Sequence, residues 1–454
     1  MDKPNSNLKM LTSKSFGWRE NIISIPLILG VSLLIVNQRI GFNDGGVVNL
    51  VAFFLRSELW LTLGVVLCIV LAPIYLIRLP IKSGLVRSVT SHLPIAFVLL
   101  TLFATFLSYF RYDQIFDLFG LYDILKTLLC ICISRIIFGF SIKNHRFAVL
   151  LVNIFIFTSI LNVFAAIFTS VTGINHIVGF NEEMAAGDTE VGLGFLSYGE
   201  RFQGLSTNPN IVATQTAIAL SFVIPNIIQY ITNGRVIKAV IFIFYLFSLL
   251  AIILWTGVRA SLLVIPLIFI LALWLRVKSG LKGQVITMMY VPLVSALLAL
   301  AWLVAASLGL TETVADRVSN SEDGRIFLWL HYTGLLLQNP FGMGIAFESI
   351  ADTYSILDRQ RLPPHNSILQ TAMYSGFVGI LVYFFLLRKT FRFFLRYRKN
   401  IPLGTIPINM QGTFIAWIVT VFHSLFGGLL FADFNFIILT SLLIFQIYEA
   451  RCKS

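Results

Sequence analysis

The feature that most constrains this chain is a succession of apolar blocks, about 15–25 residues each, separated by short polar stretches. A bilayer core is about 30 Å thick, and an α-helix of about 20 apolar residues crosses it. Of the 454 residues, 57% are hydrophobic and 12% are charged, whereas soluble domains are roughly 45–50% apolar and 25% charged. The sequence therefore predicts an all-α polytopic membrane protein and excludes a soluble multidomain enzyme.

Twelve blocks are long enough to be predicted transmembrane helices. The first has a basic lead-in but no small-residue cleavage site, so we interpret it as a retained helix rather than a signal peptide. The predicted spans are residues 22–36, 59–77, 92–110, 120–140, 147–172, 210–231, 239–257, 261–275, 287–309, 367–387, 412–428 and 434–449.

The distribution of Lys and Arg predicts the orientation. If the N-terminus is inside, the inner segments hold 22 of the 33 cations and the much longer outer segments hold 9. The positive-inside rule then places both termini in the cytoplasm and two long loops, 173–209 and 310–366, on the outer face. The net charge of +12 therefore reflects membrane topology and does not indicate a nucleic acid partner.

All nine outer cations are Arg. The Arg guanidinium binds phosphate through two parallel N–H groups, which the Lys ammonium cannot do. Arg201 precedes a turn at Asn208 and an apolar helix, where free backbone N–H groups attract anions. A solvated loop with a helix cap at Asn208 or Asn210 is the alternative. Arg259 lies in a short hairpin between two spans, where a cation is costly and indicates function, although a snorkelling flank residue is possible.

The second long loop contains a helix predicted to begin near Asp323 and to end at Asn339-Pro340. Arg325 falls in its first turn, where a cation opposes the helix dipole unless an anion binds there. Trp329 follows at i+4, on the same face. The sequence from Phe341 to Ile345 then predicts a flexible connection.

Pro363 and Pro364 fix the approach to the tenth predicted span, which His365 and Asn366 open. A helix N-terminus disfavours the protonated form of His365, and this suits a neutral general base. A helix cap with a solvent-facing His is the open alternative. His423 is a weaker candidate because it lies inside a predicted span. The sequence contains neither a metal-binding motif nor an outer carboxylate cluster, so we expect metal-independent chemistry without a cofactor.

These motifs resemble one family. Four segments of the chain are similar to the large periplasmic loop of the O-antigen ligase and polymerase superfamily. They are Asp323-Gly-Arg-Ile-Phe-Leu-Trp, Asn339-Pro-Phe-Gly-Met-Gly, His365-Asn-Ser-Ile-Leu-Gln and Ser375-Gly-Phe-Val-Gly. The hairpin Thr256-Gly-Val-Arg-Ala-Ser resembles that family's Arg-bearing hairpin, although a Ser-Arg pair is common where this chain has Val-Arg. The resemblance covers about residues 200–390.

The resemblance implies a metal-independent, inverting glycosyltransferase of the GT-C type in the bacterial inner membrane. Its donor would be a glycan on undecaprenyl pyrophosphate. Its acceptor would be the lipid A–core in a ligase, which we prefer, or a second lipid-linked glycan in a polymerase. By the resemblance, pyrophosphate would be bound by Arg201, Arg259 and Arg325, the catalytic base would be His365, and the supporting residues would be Asn366, Ser261 and Trp329.

The predicted organisation has three parts. Residues 1–199 form an N-terminal transmembrane region, 200–390 a catalytic region that includes the periplasmic loop 310–366, and 391–454 a C-terminal transmembrane hairpin. A transporter or flippase is the alternative from a different class. It is disfavoured because carboxylates within the spans are scarce, with Asp123 the main candidate for ion coupling.

Overall fold

The computed structural model describes residues 88–112, 118–143, 145–172, 209–276, 324–350, 364–399, 406–426 and 429–453. Every regular element in these ranges is a helix. The predicted all-α polytopic fold is confirmed. The predicted spans 22–36, 59–77 and 287–309 lie outside the described residues.

Ten helices of at least fifteen residues make up the described part of the chain. Short helical turns connect some of them, at Ser88–His92, Gly344–Ala346, Phe347–Ile350 and Leu430–Ala432. The ten helices are α1 (Leu93–Tyr112), α2 (Leu118–Lys143), α3 (His145–Thr172), α4 (Pro209–Thr232), α5 (Val236–Thr256), α6 (Arg259–Arg276), α7 (Gly324–Gln338), α8 (Ser367–Lys399), α9 (Ile408–Ser424) and α10 (Phe434–Lys453).

Hydropathy located these helices well. Each of the nine predicted spans within the described ranges coincides with one helix, and the predicted loop helix coincides with α7. Seven helices in the described ranges are long and apolar enough to cross a membrane. The total of twelve spans remains a prediction. The largest difference in length is in α8, which continues past the predicted end at residue 387 to Lys399.

Helix α4 lies at the centre of one group and contacts α3, α5, α6 and α9, while α8 packs on α1 and α10 packs on α2. In lipid, helices associate through close van der Waals packing, because lipid tails are as apolar as the side chains. Small residues allow such closeness on α4, where Ala213, Ala217 and Ala219 are buried. Stacked rings provide close packing elsewhere, as between Phe394 and Phe414, whose ring centroids are 3.6 Å apart.

Helix α8 is interrupted at Gly376, whose φ of 68° and ψ of −165° are not helical. The segment after α7 lies against this break. The N–H of Phe377 donates to the carbonyl of Pro340 at 3.0 Å, and the N–H of Met343 donates to the carbonyl of Met373 at 2.7 Å. A Cβ at position 376 would collide with the backbone of Pro340 and Phe341, so the sequence requires glycine there.

The prediction of a flexible connection from Phe341 to Ile345 is therefore wrong. Met343 and Ile345 are buried, and the N–H of Ile345 donates to Thr105 Oγ1 at 2.9 Å. A Cβ at Gly344 would collide with Thr105 of α1. The two glycines that suggested flexibility instead permit close approach between backbones.

The C-terminal end of α7 is also fixed. Arg111 Nη1 donates to the carbonyl of Gln338 and to Asn339 Oδ1, both at 2.9 Å. Tyr112 donates to the same Oδ1 at 2.9 Å. A cation at a helix C-terminus is favourable because the carbonyl groups there carry partial negative charge. Helix α7 is thus anchored to α1, and its N-terminal end extends toward the residues described next.

Candidate functional site

The hairpin between α5 and α6 consists of two residues. Gly257 adopts a left-handed conformation with φ 62°, and its N–H donates to the carbonyl of Leu254. Val258 follows, and Arg259 is the first residue of α6. The predicted Arg-bearing hairpin is thus present in the fold. A cation at a helix N-terminus opposes the dipole, and the anion predicted to bind here would offset that cost.

Ser261, two residues into α6, is fully buried. Its Oγ lies 3.1 Å from Nε2 of His423 near the end of α9. The other ring nitrogen, Nδ1, lies 3.3 Å from Thr214 Oγ1 on α4. A neutral imidazole has one donor and one acceptor nitrogen, so both hydroxyl contacts can be hydrogen bonds. His423 therefore joins α4, α6 and α9 through one side chain.

The next residue of α9 makes the second connection. Ser424 Oγ lies 3.1 Å from Oγ of Ser367, the first residue of α8. Ser367 Oγ also lies 3.2 Å from the hydroxyl of Tyr383. Consecutive Cα atoms are about 3.8 Å apart, so His423 and Ser424 bring the starts of α6 and α8 together at one end of α9.

His365 lies two residues before Ser367. Its φ of 46° is the one positive φ among the non-glycine residues that the structure describes. This conformation is uncommon in a residue with a Cβ, although His adopts it more readily than most. Such backbone strain is concentrated at functional sites. His365 is half-buried, so part of its surface remains accessible.

Asn366 caps helix α8. Its Oδ1 accepts hydrogen bonds from the N–H groups of Ile368 at 3.0 Å and Leu369 at 3.1 Å. These bonds satisfy two N–H groups that have no partner within the helix. The alternative interpretation of this segment also predicted this cap, and a supporting role of Asn366 in the reaction remains a prediction. The cap fixes the start of α8 and hence the position of the residue before it.

Helix α7 approaches the same place. Trp329 Nε1 donates to the carbonyl of Pro364 at 2.8 Å, directly before His365. Arg325 lies four residues earlier in α7, one turn toward its N-terminus. Arg325 is therefore one helical turn from the residue that contacts the segment carrying His365, and it lies in the first turn of a helix, as the sequence predicted.

Apolar side chains line the same region. Ala213 of α4 packs with Val258 of the hairpin and Ala260 of α6, and the ring of Phe426 packs against them. The ring centroid of Phe426 lies 6.5 Å from that of Trp329. Phe426 therefore connects the hairpin to α7. This apolar cluster lies beside the His423 hydrogen bonds, and in such a setting electrostatic interactions are stronger than in water.

Helix α8 is also held at a second point. Asp123, near the start of α2, accepts hydrogen bonds on Oδ2 from Gln370 Nε2 at 3.1 Å and from the Tyr374 hydroxyl at 3.0 Å. Asp123 was the main candidate for a coupling carboxylate in the transporter alternative. Its side chain instead bonds to the first turns of α8, which favours a role in positioning His365.

The structure thus brings together the segments of Arg259, Arg325 and His365, with the supporting residues Ser261, Trp329 and Asn366. Arg201 lies outside the described residues, eight positions before the start of α4. The roles of all these residues in substrate binding and catalysis remain predictions. Within the described ranges, no group of three or more His, Cys, Asp or Glu residues has an arrangement that could hold a metal ion.

The sequence motifs do not identify the residues at the end of α9. His423 is only a weak candidate because it lies in an apolar span. Neither Ser424, the last residue of α9, nor Phe426, two positions beyond it, belongs to a distinguishing motif. One signal was present, because an ionisable residue inside a membrane helix is costly and therefore a functional candidate by default. The partner of His423 could not be inferred, since Ser261 is 162 positions away.

Residues 244–384 match the family model described as O-antigen ligase. The match supports the predicted resemblance to the O-antigen ligase and polymerase superfamily over this part of the chain. The matched region includes α6, α7 and the first half of α8, and so contains Arg259, Arg325 and His365. His423 and Arg201 lie outside the matched residues. No curated protein matches the chain.

Proposed function

We propose that this protein is a glycosyltransferase that works on the periplasmic face of the bacterial inner membrane. It moves a glycan from undecaprenyl pyrophosphate to a sugar hydroxyl during assembly of a surface polysaccharide. We prefer an O-antigen ligase, whose acceptor is the lipid A–core, and we assign catalysis to the region 200–390. The match of residues 244–384 to the O-antigen ligase family model supports this class of reaction.

The observation that carries the proposal is the junction at the end of α9. Ser261 contacts His423, and Ser367 contacts Ser424. The Arg-bearing start of α6 and the His-bearing start of α8 are therefore held by two consecutive residues of one helix. A cation for the leaving group and a base for the nucleophile are the two parts that glycosyl transfer requires, and this junction holds their segments side by side.

The leaving group is a lipid pyrophosphate, which gains negative charge as its bond to the sugar breaks. Arg259 and Arg325 each lie in the first turn of a helix, where the backbone also presents unpaired N–H groups. In our proposal these cations and N–H groups bind the pyrophosphate, with Arg201 contributing from the preceding loop. Such fixed positive groups stabilise charge that develops in the transition state, which is why we propose that no metal is needed.

The nucleophile is the acceptor hydroxyl. Its oxygen forms a bond to the anomeric carbon as the bond from that carbon to the pyrophosphate oxygen breaks, so the configuration inverts. His365 accepts the hydroxyl proton, and the electron pair of the broken bond leaves with the pyrophosphate. A positioned general base contributes typically about 10²–10⁴ in rate. The caps and contacts of Asn366, Trp329 and Ser367 hold His365 for this task.

The lipopolysaccharide gel pattern of a deletion strain of the native host tests the function. A ligase predicts loss of all ladder material, whereas a polymerase of the same superfamily predicts a single-repeat band. An unchanged pattern would contradict both and favour a transporter of another substrate or an auxiliary role.

Complementation of that strain tests the assignment of His365. His365→Asn is the better variant than His365→Ala, because Asn also tolerates positive φ while lacking the imidazole. We expect normal protein level and no ladder from His365→Asn. His331→Asn, on α7, is the matched control and should restore the ladder. A full ladder with His365→Asn would overturn the role of His365 as the base.

A further inference from the structure

After the break at Gly376, helix α8 continues without interruption to Lys399. This part, residues 377–399, is about 34 Å long at 1.5 Å per residue, slightly more than the thickness of the hydrocarbon core. All the cations of α8 lie in its last turns, from Arg388 to Lys399, which we call the C-terminal extension. The orientation predicted from charge places this extension at the inner leaflet.

The exposed side chains of α8 form one continuous stripe. Phe377, Leu381, Phe384 and Phe385 are exposed large hydrophobic residues, as expected of a surface that faces lipid tails. Four exposed cations continue the same stripe. At about 100° per residue, they fall within an arc of about 80° that overlaps the apolar one. The cations are Arg388, Arg392, Arg396 and Lys399.

The opposite face of the extension is held by the protein. Phe394 and Tyr397 are buried, and the Phe394 ring stacks on Phe414 of α9. The remaining two cations of the extension also bond inward. Lys389 Nζ donates to Ser88 Oγ at 2.6 Å, and Arg398 lies 3.6 Å over the Trp274 ring and donates to its carbonyl at 2.8 Å.

The six cations of the extension thus have two different roles. Two bond to the protein, and four point away from it on a face that is fixed in place. The sequence from 376 to 399 contains no Asp or Glu. Because the helix is anchored, the four outward cations keep their spacing of about one turn without an added entropic cost of ordering the backbone.

We propose that Arg388, Arg392, Arg396 and Lys399 form a binding stripe for the headgroups of anionic phospholipids. The face that meets lipid tails continues directly into the cations, so a lipid that packs on Phe384 or Phe385 presents its phosphate to Arg388 and Arg392. Three of the four are Arg, which pairs with phosphate through two N–H groups. The stripe anchors α8, the helix that begins at the candidate site, to the anionic leaflet.

The expected size of the effect follows from the charge. A cation that contacts the headgroup contributes about fivefold in affinity. Removal of two should weaken binding of anionic lipid by about 25-fold. The effect should fall with added salt, since exposed charges are screened over about 10 Å at 0.1 M ionic strength.

The test uses the full-length protein in detergent. Phosphatidylglycerol, phosphatidylcholine or inorganic phosphate is titrated, and bound lipid is counted by native mass spectrometry while thermal stability is followed. We expect phosphatidylglycerol to bind and to raise the melting temperature of the wild type. Neither phosphatidylcholine nor inorganic phosphate should do so, which distinguishes a lipid headgroup from free phosphate.

The matched variants are Arg392→Gln/Arg396→Gln on the stripe and Arg235→Gln/Lys238→Gln at the start of α5. Both pairs are exposed, and both remove two charges. The stripe pair should lose about 25-fold in affinity for phosphatidylglycerol, and the control pair less than fivefold. Equal losses in the two pairs, or unchanged binding by the stripe pair, would overturn the proposal. Because the readout is lipid binding, its failure would leave the proposed transferase activity untouched.

Discussion

Replacement of His423 tests whether the junction at the end of α9 positions the Arg259 hairpin. In the wild type, His423 Nε2 is the partner of Ser261 Oγ at 3.1 Å, and Ser261 is fully buried. In His423→Ala the Ser261 hydroxyl loses this partner, which costs about 1–3 kcal/mol. Thr214 loses less, because its hydroxyl also donates to the carbonyl of Asn210 at 2.8 Å.

If that free energy holds the hairpin in its reactive position, its loss appears in the rate. At 1.36 kcal/mol for each factor of ten, His423→Ala should lower the transfer rate about fivefold to over a hundredfold. Two amide variants separate positioning from chemistry. The amide of Gln extends to the position of Nε2 and can keep the bond to Ser261, whereas the shorter Asn reaches only the position of Nδ1.

The assay is glycan transfer by purified protein at equal concentration, with kcat and the donor KM measured separately. We expect His423→Gln to recover most of the activity, His423→Asn to resemble His423→Ala, and Ser261→Ala to resemble both. The reasoning would be refuted by full activity in His423→Ala. It would also be refuted if His423→Gln were as inactive as His423→Ala at normal protein level, because the imidazole itself would then be required.

Three further predictions concern other parts of the chain. Arg259→Lys should reduce transfer about tenfold to over a hundredfold, because a bidentate contact worth about 1.5–3 kcal/mol is lost; unchanged kinetics would leave only a general charge effect. Gly376→Ala should lower the free energy of unfolding by at least about 1–3 kcal/mol from backbone strain alone. Gly334→Ala is the control: the added Cβ meets nothing within 4 Å, so the free energy of unfolding should rise by about 0.5–1 kcal/mol. Similar melting temperatures for the two variants would contradict the kink. Cysteines at Thr189 and Ser355, in a background without native cysteines, should react with an impermeant reagent in intact cells, and labelling only after the inner membrane is breached would reverse the topology.

The helices of this protein could be predicted because hydropathy is a local property. One Pro marks one end of each of two helices: α4 begins at Pro209, and α7 ends two residues before Pro340. The hairpin at Arg259 could also be predicted, since Gly257 lies where two apolar blocks meet. These features depend only on neighbouring residues, and the sequence shows those directly.

Features that depend on distant residues could not be predicted. Gly342 and Gly344 predicted a flexible connection, but both positions are closely packed. Gly342 lies against the backbone at Gly376, and Gly344 lies against Thr105. Apart from Trp329 in α7, the functional candidates from sequence were in loops or at helix starts. The residue that connects them, His423, lies inside a helix, and only the packing of α9 against α4, α6 and α8 shows its role.

Transfer of glycan by the purified protein tests the central claim most directly. The reaction contains undecaprenyl-pyrophosphate glycan, detergent, EDTA, and either lipid A–core or a second lipid-linked glycan as acceptor. We predict that the wild type forms the glycosylated lipid A–core with EDTA present and that His365→Asn forms none. Absence of transfer to either acceptor, together with movement of the lipid-linked glycan across liposomes that contain the protein, would contradict the claim and favour a transporter.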